Sequence, residues 1–206
     1  MTAVPSLSTS LRQHWAALRA LLVLTVVLGV LYPLAVLAVG QLALRSKADG
    51  SLVSADGRTV GSGLIGQSFA DPDGNPLPQW FQPRPSAAGT AGYDPTASGA
   101  SNLGPENPTL VKDIEARRAA VAAFNGVAPA DVPPDALTAS GSGLDPDISP
   151  AYAYLQVERV ATARGLDPAT VRALVAAQVT GRGLGFLGEP TVNVLALNLA
   201  LQRLSG

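Results

Sequence analysis

From Ala20 to Leu44 the chain runs 25 residues without a charged side chain, ALLVLTVVLGVLYPLAVLAVGQLAL. A helix of that length reaches about 37 Å, more than the roughly 30 Å hydrocarbon core of a bilayer. The segment therefore fixes the solvent before any motif is read: it predicts one membrane span over 20–44, a tail over 1–19, and the remaining mass on one side. A cleaved signal would carry only about 7–15 apolar residues and an A-x-A-like cleavage site. Here the run is far longer, and Arg45 and Lys47 follow it as a stop-transfer flank. The reading is an uncleaved anchor. Its direction stays open, because Arg12 and Arg19 before the span balance Arg45 and Lys47 after it under the positive-inside rule.

Behind the span lie 162 residues, enough for one domain with a modest core. Phe, Trp and Tyr together number only 10 while Ala, Leu and Val are plentiful, which predicts an aliphatic core. A net charge of −1 argues against a nucleic-acid partner, which needs a basic excess. With no cysteine there are neither disulfides nor thiolate chemistry. The sole histidine, His14, precedes the span, so metal ligation is poorly supplied.

Residues 45–106 hold 10 Gly and 7 Pro, which predicts turns and short strands rather than helices. Gly63–Phe69 and Gln79–Gln82 are the candidate strands, and their apolar side chains argue against a solvated linker. From residue 107 the pattern becomes helical. Asn107-Pro108, Ser149-Pro150 and Asp167-Pro168 each read as an N-cap followed by proline in the first turn. Gly126, Gly165 and Gly181 read as the matching stops. Leu110, Ile114, Val121 and Phe124 line the first helix, Leu155 and Val160 the second, and Val171, Leu174, Val175 and Val179 the third. Val192–Leu204 fits either a strand or a helix by period; its composition and a capping Asn193 favour a helix. The expected fold is α+β: a single N-terminal transmembrane helix, then one domain with a Gly/Pro-rich β/loop half (45–106) and a helical half (107–206).

Catalytic motifs fail on context. Gly61-Ser-Gly63-Leu-Ile-Gly66 matches G-x-G-x-x-G, yet QSFADPDGNP follows it and cannot open a helix. No G-x-x-x-x-G-K-[ST] occurs, and a Ser–His–Asp triad lacks a histidine in the domain. Ser140 and Ser142 lie in ASGSG, which is not the G-x-S-x-G elbow. Asp145 and Asp147 suit turns and caps. Within the span, Gly29, Pro33, Val36 and Gly40 recur at i, i+4, i+7 and i+11, a small-residue stripe suited to docking against neighbouring helices. Pro33 removes a backbone bond near mid-membrane and predicts a mild kink.

Several blocks together resemble one family, the C subunit of the Kdp-type potassium-transporting P-type ATPases of bacteria. They are GSGLIGQSF (Gly61–Phe69), WFQPRPSA (Trp80–Ala87), ASGASNLGPENP (Ala97–Pro108), LTASGSGLDPDISPAYA (Leu137–Ala153) and GEPTVNVLALNLAL (Gly188–Leu201). The resemblance covers nearly the whole chain, span included. Departures are mild: Asp147 stands where the family often has histidine or asparagine, and Trp80-Phe81 where it has Tyr-Phe.

The resemblance implies a non-catalytic subunit of the bacterial inner membrane, with its N-terminus cytoplasmic and its domain exoplasmic. The implied partners are an ATP-hydrolysing P-type subunit, a channel-like potassium-translocating subunit, a small single-span subunit and the lipid bilayer. It also implies a catalytic chaperone that raises the hydrolysing subunit's affinity for ATP. No intrinsic cofactor is expected; ATP would be bound by, or shared with, that subunit, and Ser140, Gly141, Ser142 and Gly143 are the candidates for contacting it. An exoplasmic domain cannot touch nucleotide in the cytoplasm, however, so any ATP effect would pass through the span as an allosteric bias. The rival class is a membrane-tethered envelope hydrolase or ligand-binding domain, supported only by Gly/Ser-rich loops and carboxylates.

Overall fold

A computed structural model describes residues 7–204; the start of the predicted tail (1–6) and the last two residues of the helical half (205–206) lie outside the described residues. The chain divides into two compact units, Met1–Ser51 and Leu52–Gly206.

In the first unit, α1 (Leu7–Val26) and α2 (Tyr32–Ala43) are joined by a π-helical turn, Val27–Leu31. The helix long and apolar enough to cross a membrane is Ser10–Ala43, 34 residues whose most apolar 18-residue stretch has a mean hydropathy of 2.6. Much of the predicted tail is thus helical and continuous with the span. Pro33 explains the π turn. A proline has no N–H, and its ring crowds the carbonyl four residues back, here on Gly29. The chain widens by one residue just before it: the Tyr32 N–H donates to Val27 O, an i→i−5 bond. The wide turn also shifts Gly29 relative to Pro33, Val36 and Gly40, so the stripe is less straight than an ideal helix would make it. Past α2 a short turn of helix, α3 (Arg45–Ala48), folds back. A Cβ on Gly40 would lie 3.5 Å from Ala48 Cβ, and Gln41 Nε2 donates to Asp49 Oδ1 at 2.9 Å.

The second unit opens with a hairpin, β1 (Leu52–Ala55) against β2 (Arg58–Ser62). Its turn residues Asp56 and Gly57 both have positive φ, 50° and 75°, as a type I′ turn requires. The Asp-Gly pair was a readable hairpin signal that the sequence reading passed over.

The two predicted strands are not strands. Gly63–Phe69 begins in a turn and continues as irregular chain with one isolated bridge, Ser62↔Ile65. Gln79 ends a turn, Trp80 is a bend, and Phe81 and Gln82 are irregular chain whose backbone is satisfied by side chains rather than by a neighbouring strand. Asn198 Oδ1 accepts from Phe81 N at 2.9 Å, and Asn198 Nδ2 donates to Phe81 O at 3.0 Å. Gln156 repeats the pattern one residue on, with Oε1 accepting from Gln82 N at 2.7 Å and Nε2 donating to Gln82 O at 3.1 Å. A primary amide offers the same donor–acceptor pair as a peptide group, so each one closes a two-bond ring as a strand partner would. Phe81, Gln156 and Asn198 are all buried.

The capping signals locate the helices well. In α4 (Pro108–Asn125) the Asn107 side chain accepts from Thr109 N, and Gly126 ends the helix at φ 66°. Ser149 caps α5 (Pro150–Leu155) and Asp167 caps α7 (Pro168–Gln178). The predicted second helix is interrupted at Gln156, whose backbone ends α5 and starts α6 (Val157–Arg164) before Gly165 stops it at φ 65°. The third helix stops short of Gly181, because residues 179–180 leave it to pair. A small antiparallel sheet then forms from β3 (Asp147–Ile148), β4 (Val179–Thr180) and β5 (Thr191–Asn193), with β5 central. Ile148 and Val179 both face Val192 across it.

The ambiguous terminal segment resolves into both alternatives, first β5 and then α8 (Val194–Leu204). Asn193 Oδ1 accepts from Ala196 N at 3.0 Å, the cap the sequence suggested. The core is aliphatic as composition predicted, with Val157, Val160, Val171, Val175, Val192, Leu197 and Leu201 packed around Phe81 and Tyr152. Fully burying a side chain the size of Phe81 contributes about 1.5–3 kcal/mol.

Candidate functional site

The blocks that carry the family resemblance converge on one loop, residues 138–147. Gly66 N donates to Leu144 O at 2.8 Å, bringing in the Gly61–Phe69 block. Gly99 N and Ser98 Oγ both donate to Ser142 O, at 2.9 and 3.0 Å. From the Trp80–Ala87 block, Arg84 Nη1 meets Asp145 Oδ2 at 2.8 Å while Nη2 donates to Thr138 O at 3.3 Å. Ser86 Oγ donates to Gly143 O at 2.6 Å and accepts from Tyr93 N at 2.8 Å and Ala88 N at 3.1 Å. From the last block, Asn193 Nδ2 donates to Asp147 Oδ1 at 3.0 Å and to Gly63 O at 3.1 Å. Five segments hold one another through these bonds, most of them without regular structure. That is how a Gly/Pro-rich half becomes rigid.

Two glycines make the close approaches possible. A Cβ on Gly143, at φ 68°, would stand 2.8 Å from both Ala88 N and Gly99 O. One on Gly66 would fall 2.5 Å from Asp145 O. Neither site has room for a side chain.

Four sequence candidates lie in this loop, and the fold separates them. Ser140 and Gly141 line an open cleft of about 300 Å³ together with Asn102, Asp113, Arg117 and Thr138. Ser142 instead spends its hydroxyl on Leu144 N at 3.1 Å and its carbonyl on residues 98 and 99. Gly143 is buried. A second cleft of about 390 Å³ is lined by Arg84, Ser86, Tyr93, Arg117 and Tyr152, and Arg117 borders both. The Ser86 and Tyr93 hydroxyls here are engaged: Tyr93 OH donates to Arg84 O at 2.6 Å, and burial, helped by the Asp145 charge, raises its pKa. Burial likewise pushes the Tyr152 hydroxyl up to about 12. Among the described residues no cluster of three or more His, Cys, Asp or Glu is placed to hold a metal ion.

The span candidates lie in the first unit. Gly29 has open surroundings, its nearest neighbour being Thr25 Cγ2 at 3.9 Å from a built Cβ, and Val36 is exposed. Gly40 differs, since the chain's own Ala48 covers it.

The residues that sequence reasoning missed are polar ones in the core. Besides Gln156 and Asn198, Arg159 is drawn under the 78–82 segment. Its Nη1 donates to Trp80 O at 3.0 Å and to Pro78 O, its Nη2 to Gln156 Oε1 at 2.7 Å, and its Nε to Asn125 Oδ1 at 2.9 Å. The guanidinium stacks 4.4 Å above the Phe124 ring, and burial lowers its pKa to about 10, leaving it charged at neutral pH. Arg164 stacks similarly, 4.2 Å above Trp80. A signal existed in Asn198, a lone amide on the apolar face of ALNLAL, where a buried polar group demands a partner.

Comparison with known proteins agrees with these blocks. Residues 14–203 match the family described as "KdpC: K+-transporting ATPase, c chain". A potassium-transporting ATPase KdpC subunit from Kineococcus radiotolerans is 64% identical over 197 residues, covering 96% of each chain. KdpC subunits from Streptomyces avermitilis (49% identical, 97% of each chain) and Caulobacter vibrioides (56%, 86% of each) are similar along comparable lengths. The chain therefore belongs to the KdpC family, the c chain of the K+-transporting ATPase.

Proposed function

We propose that this chain is a non-catalytic assembly subunit of a potassium-transporting P-type ATPase in the bacterial inner membrane. Its N-terminus is cytoplasmic and its domain exoplasmic. It joins an ATP-hydrolysing P-type subunit, a channel-like potassium-translocating subunit and a small single-span subunit. The observation that carries this reading is the extent of the family match, residues 14–203, which takes in the apolar helix as well as the domain.

The chemistry of the domain supports it. The Ser86 and Tyr93 hydroxyls at the loop junction are spent on backbone groups, Arg84 on a carbonyl and Asp145, and Arg159 on carbonyls and side-chain amides. Such an arrangement holds a surface in shape. The span docks through the Gly29, Pro33 and Val36 face, since small residues let a neighbouring helix approach closely. ATP belongs to the hydrolysing subunit, and the chain needs no cofactor of its own. It acts as a catalytic chaperone that raises that subunit's ATP affinity by favouring the pump conformation that binds nucleotide.

The test is ATP half-saturation of potassium-stimulated hydrolysis, measured on the complex with and without this chain, alongside a reporter fused after Gly206. The reading expects weaker ATP affinity without the chain and reporter activity only outside the cytoplasm. Unchanged half-saturation would remove the chaperone role, and a cytoplasmic reporter would restore direct contact with ATP at Ser140 and Gly141.

A further inference from the structure

The cleft of about 390 Å³ holds a polar group that the rest of the fold leaves idle. Tyr152 is 4% exposed, and its hydroxyl makes no hydrogen bond within the described chain. Buried polar groups normally have a partner. None of the described side-chain N or O atoms is both sealed from solvent and unpaired, so this hydroxyl opens onto the cleft that Tyr152 lines.

The charges around it have one sign. Arg84 and Arg117 line the cleft, and no Asp or Glu does so among the described residues. Asp145 meets the Arg84 charge from outside the lining. Arg117 is different: its Nη1 donates to Leu137 O at 3.0 Å, and the rest of its donor fork is unused within the described chain. Ala136, also in the lining, connects the two idle groups. Leu137, just after it, is bonded to Arg117 on α4. Asp135, just before it, accepts from Ser149 N at 2.7 Å and Ser149 Oγ at 2.8 Å at the start of α5, which carries Tyr152. Arg117 and Tyr152 therefore flank one stretch of wall.

A guanidinium fork beside a protonated phenol is a donor set for a carboxylate. We propose that this cleft binds a free small carboxylate with a compact apolar body, its oxygens accepting from Arg117 and the Tyr152 hydroxyl. The body lies against Pro83, Pro85 and Val121, the apolar part of the lining. Arg117 is the unmatched charge among the described lining residues, which suits a monoanion rather than a phosphate. A free molecule is favoured over a side chain of another subunit, because the hydroxyl lies deep in a concave site walled by residues 82–86, 90–93, α4 and α5, and a cavity of this volume is of small-ligand size. The proposal does not depend on the subunit reading above.

Benzoate is the probe and benzamide, its neutral counterpart, the control. Equilibrium dialysis with the full-length chain in detergent, corrected for detergent alone, is expected to show benzoate held one to one and benzamide not retained. Tyr152→Phe deletes a hydroxyl that bonds nothing in the chain, so it should melt no lower than the wild type while its benzoate affinity falls about tenfold. Arg117→Gln should weaken binding at least as much. Benzoate should also raise the melting temperature of the wild type more than that of Tyr152→Phe.

No retained benzoate, or equal affinity in Tyr152→Phe, overturns the proposal, and the hydroxyl then faces water only. Absence of benzoate binding together with poorer recovery of the other subunits in Tyr152→Phe would assign the site to an acidic side chain of a partner, which overturns it as well.

Discussion

Asn198→Leu isolates the device that holds the 80–82 segment in place. The side chain keeps the same branched shape, but its methyls are bulkier than the amide's oxygen and nitrogen, and both bonds to Phe81 are lost. Phe81 is fully buried, and with Asn198 at 1% exposure no water reaches its N–H or C=O. Each orphaned backbone group costs about 1–3 kcal/mol, a sum of roughly 2–6. Burying a leucine in place of an amide returns about 1–2 kcal/mol and crowding by its larger methyls costs about 1–3, so the expected net loss is at least about 1 kcal/mol. For a domain of ordinary stability, about 5–15 kcal/mol, that is a large share. Urea unfolding of the full chain in detergent measures it. Trp80 fluorescence is the reporter in a Trp15→Phe background, since these are the two tryptophans of the chain. A loss under about 0.5 kcal/mol with unchanged slope would refute the argument, because it would mean the segment needs no partner.

Three further outcomes are expected. Gly143→Ala, which drives a Cβ to 2.8 Å from two backbone atoms at a positive φ, should destabilise the domain by at least about 2 kcal/mol, while Gly141→Ala, with nothing within 4 Å, should stay within about 0.5 kcal/mol in the same urea titration. Burial raises the Tyr93 and Tyr152 hydroxyls, Tyr152 to about 12, so above pH 10 the unfolded chain releases protons that the folded chain keeps; stability should fall as pH rises from 10 to 12, and the 295 nm absorbance that Tyr152→Phe removes should develop only well above pH 10, whereas its development near pH 10 would contradict the packing. Gly29→Leu, at an open position in the span, should lower recovery of the channel-like subunit about tenfold in co-purification, and unchanged recovery would count against docking through that face.

What the sequence disclosed was local. Asn107-Pro108, Ser149-Pro150 and Asp167-Pro168 located three helix starts, because capping depends on neighbours two or three residues away. The uncharged run from Ala20 likewise carried its own length argument. The strand reading of 63–69 and 79–82 failed for the opposite reason. Both segments are apolar, but they run through turns and irregular chain, and in the second Gln156 and Asn198, far along the chain, bond the backbone where a strand was expected. Val179 was read as helical because its apolar spacing continues α7, until pairing with Val192 pulls it away. The convergence on residues 138–147 was visible only as separate blocks; no spacing rule brings Gly66, Arg84 and Gly99 to one loop.

The central claim is that this chain works as part of a larger potassium-transporting machine and not as a tethered catalyst. The direct measurement is to tag the full-length chain at its C-terminus, purify it from membranes of its own bacterium in mild detergent, and identify and count what comes with it by mass spectrometry. The account predicts a P-type ATPase subunit and a channel-like subunit recovered together with the chain. Recovery of the chain alone, with hydrolytic activity that survives purification and is lost in Ser142→Ala, would contradict it.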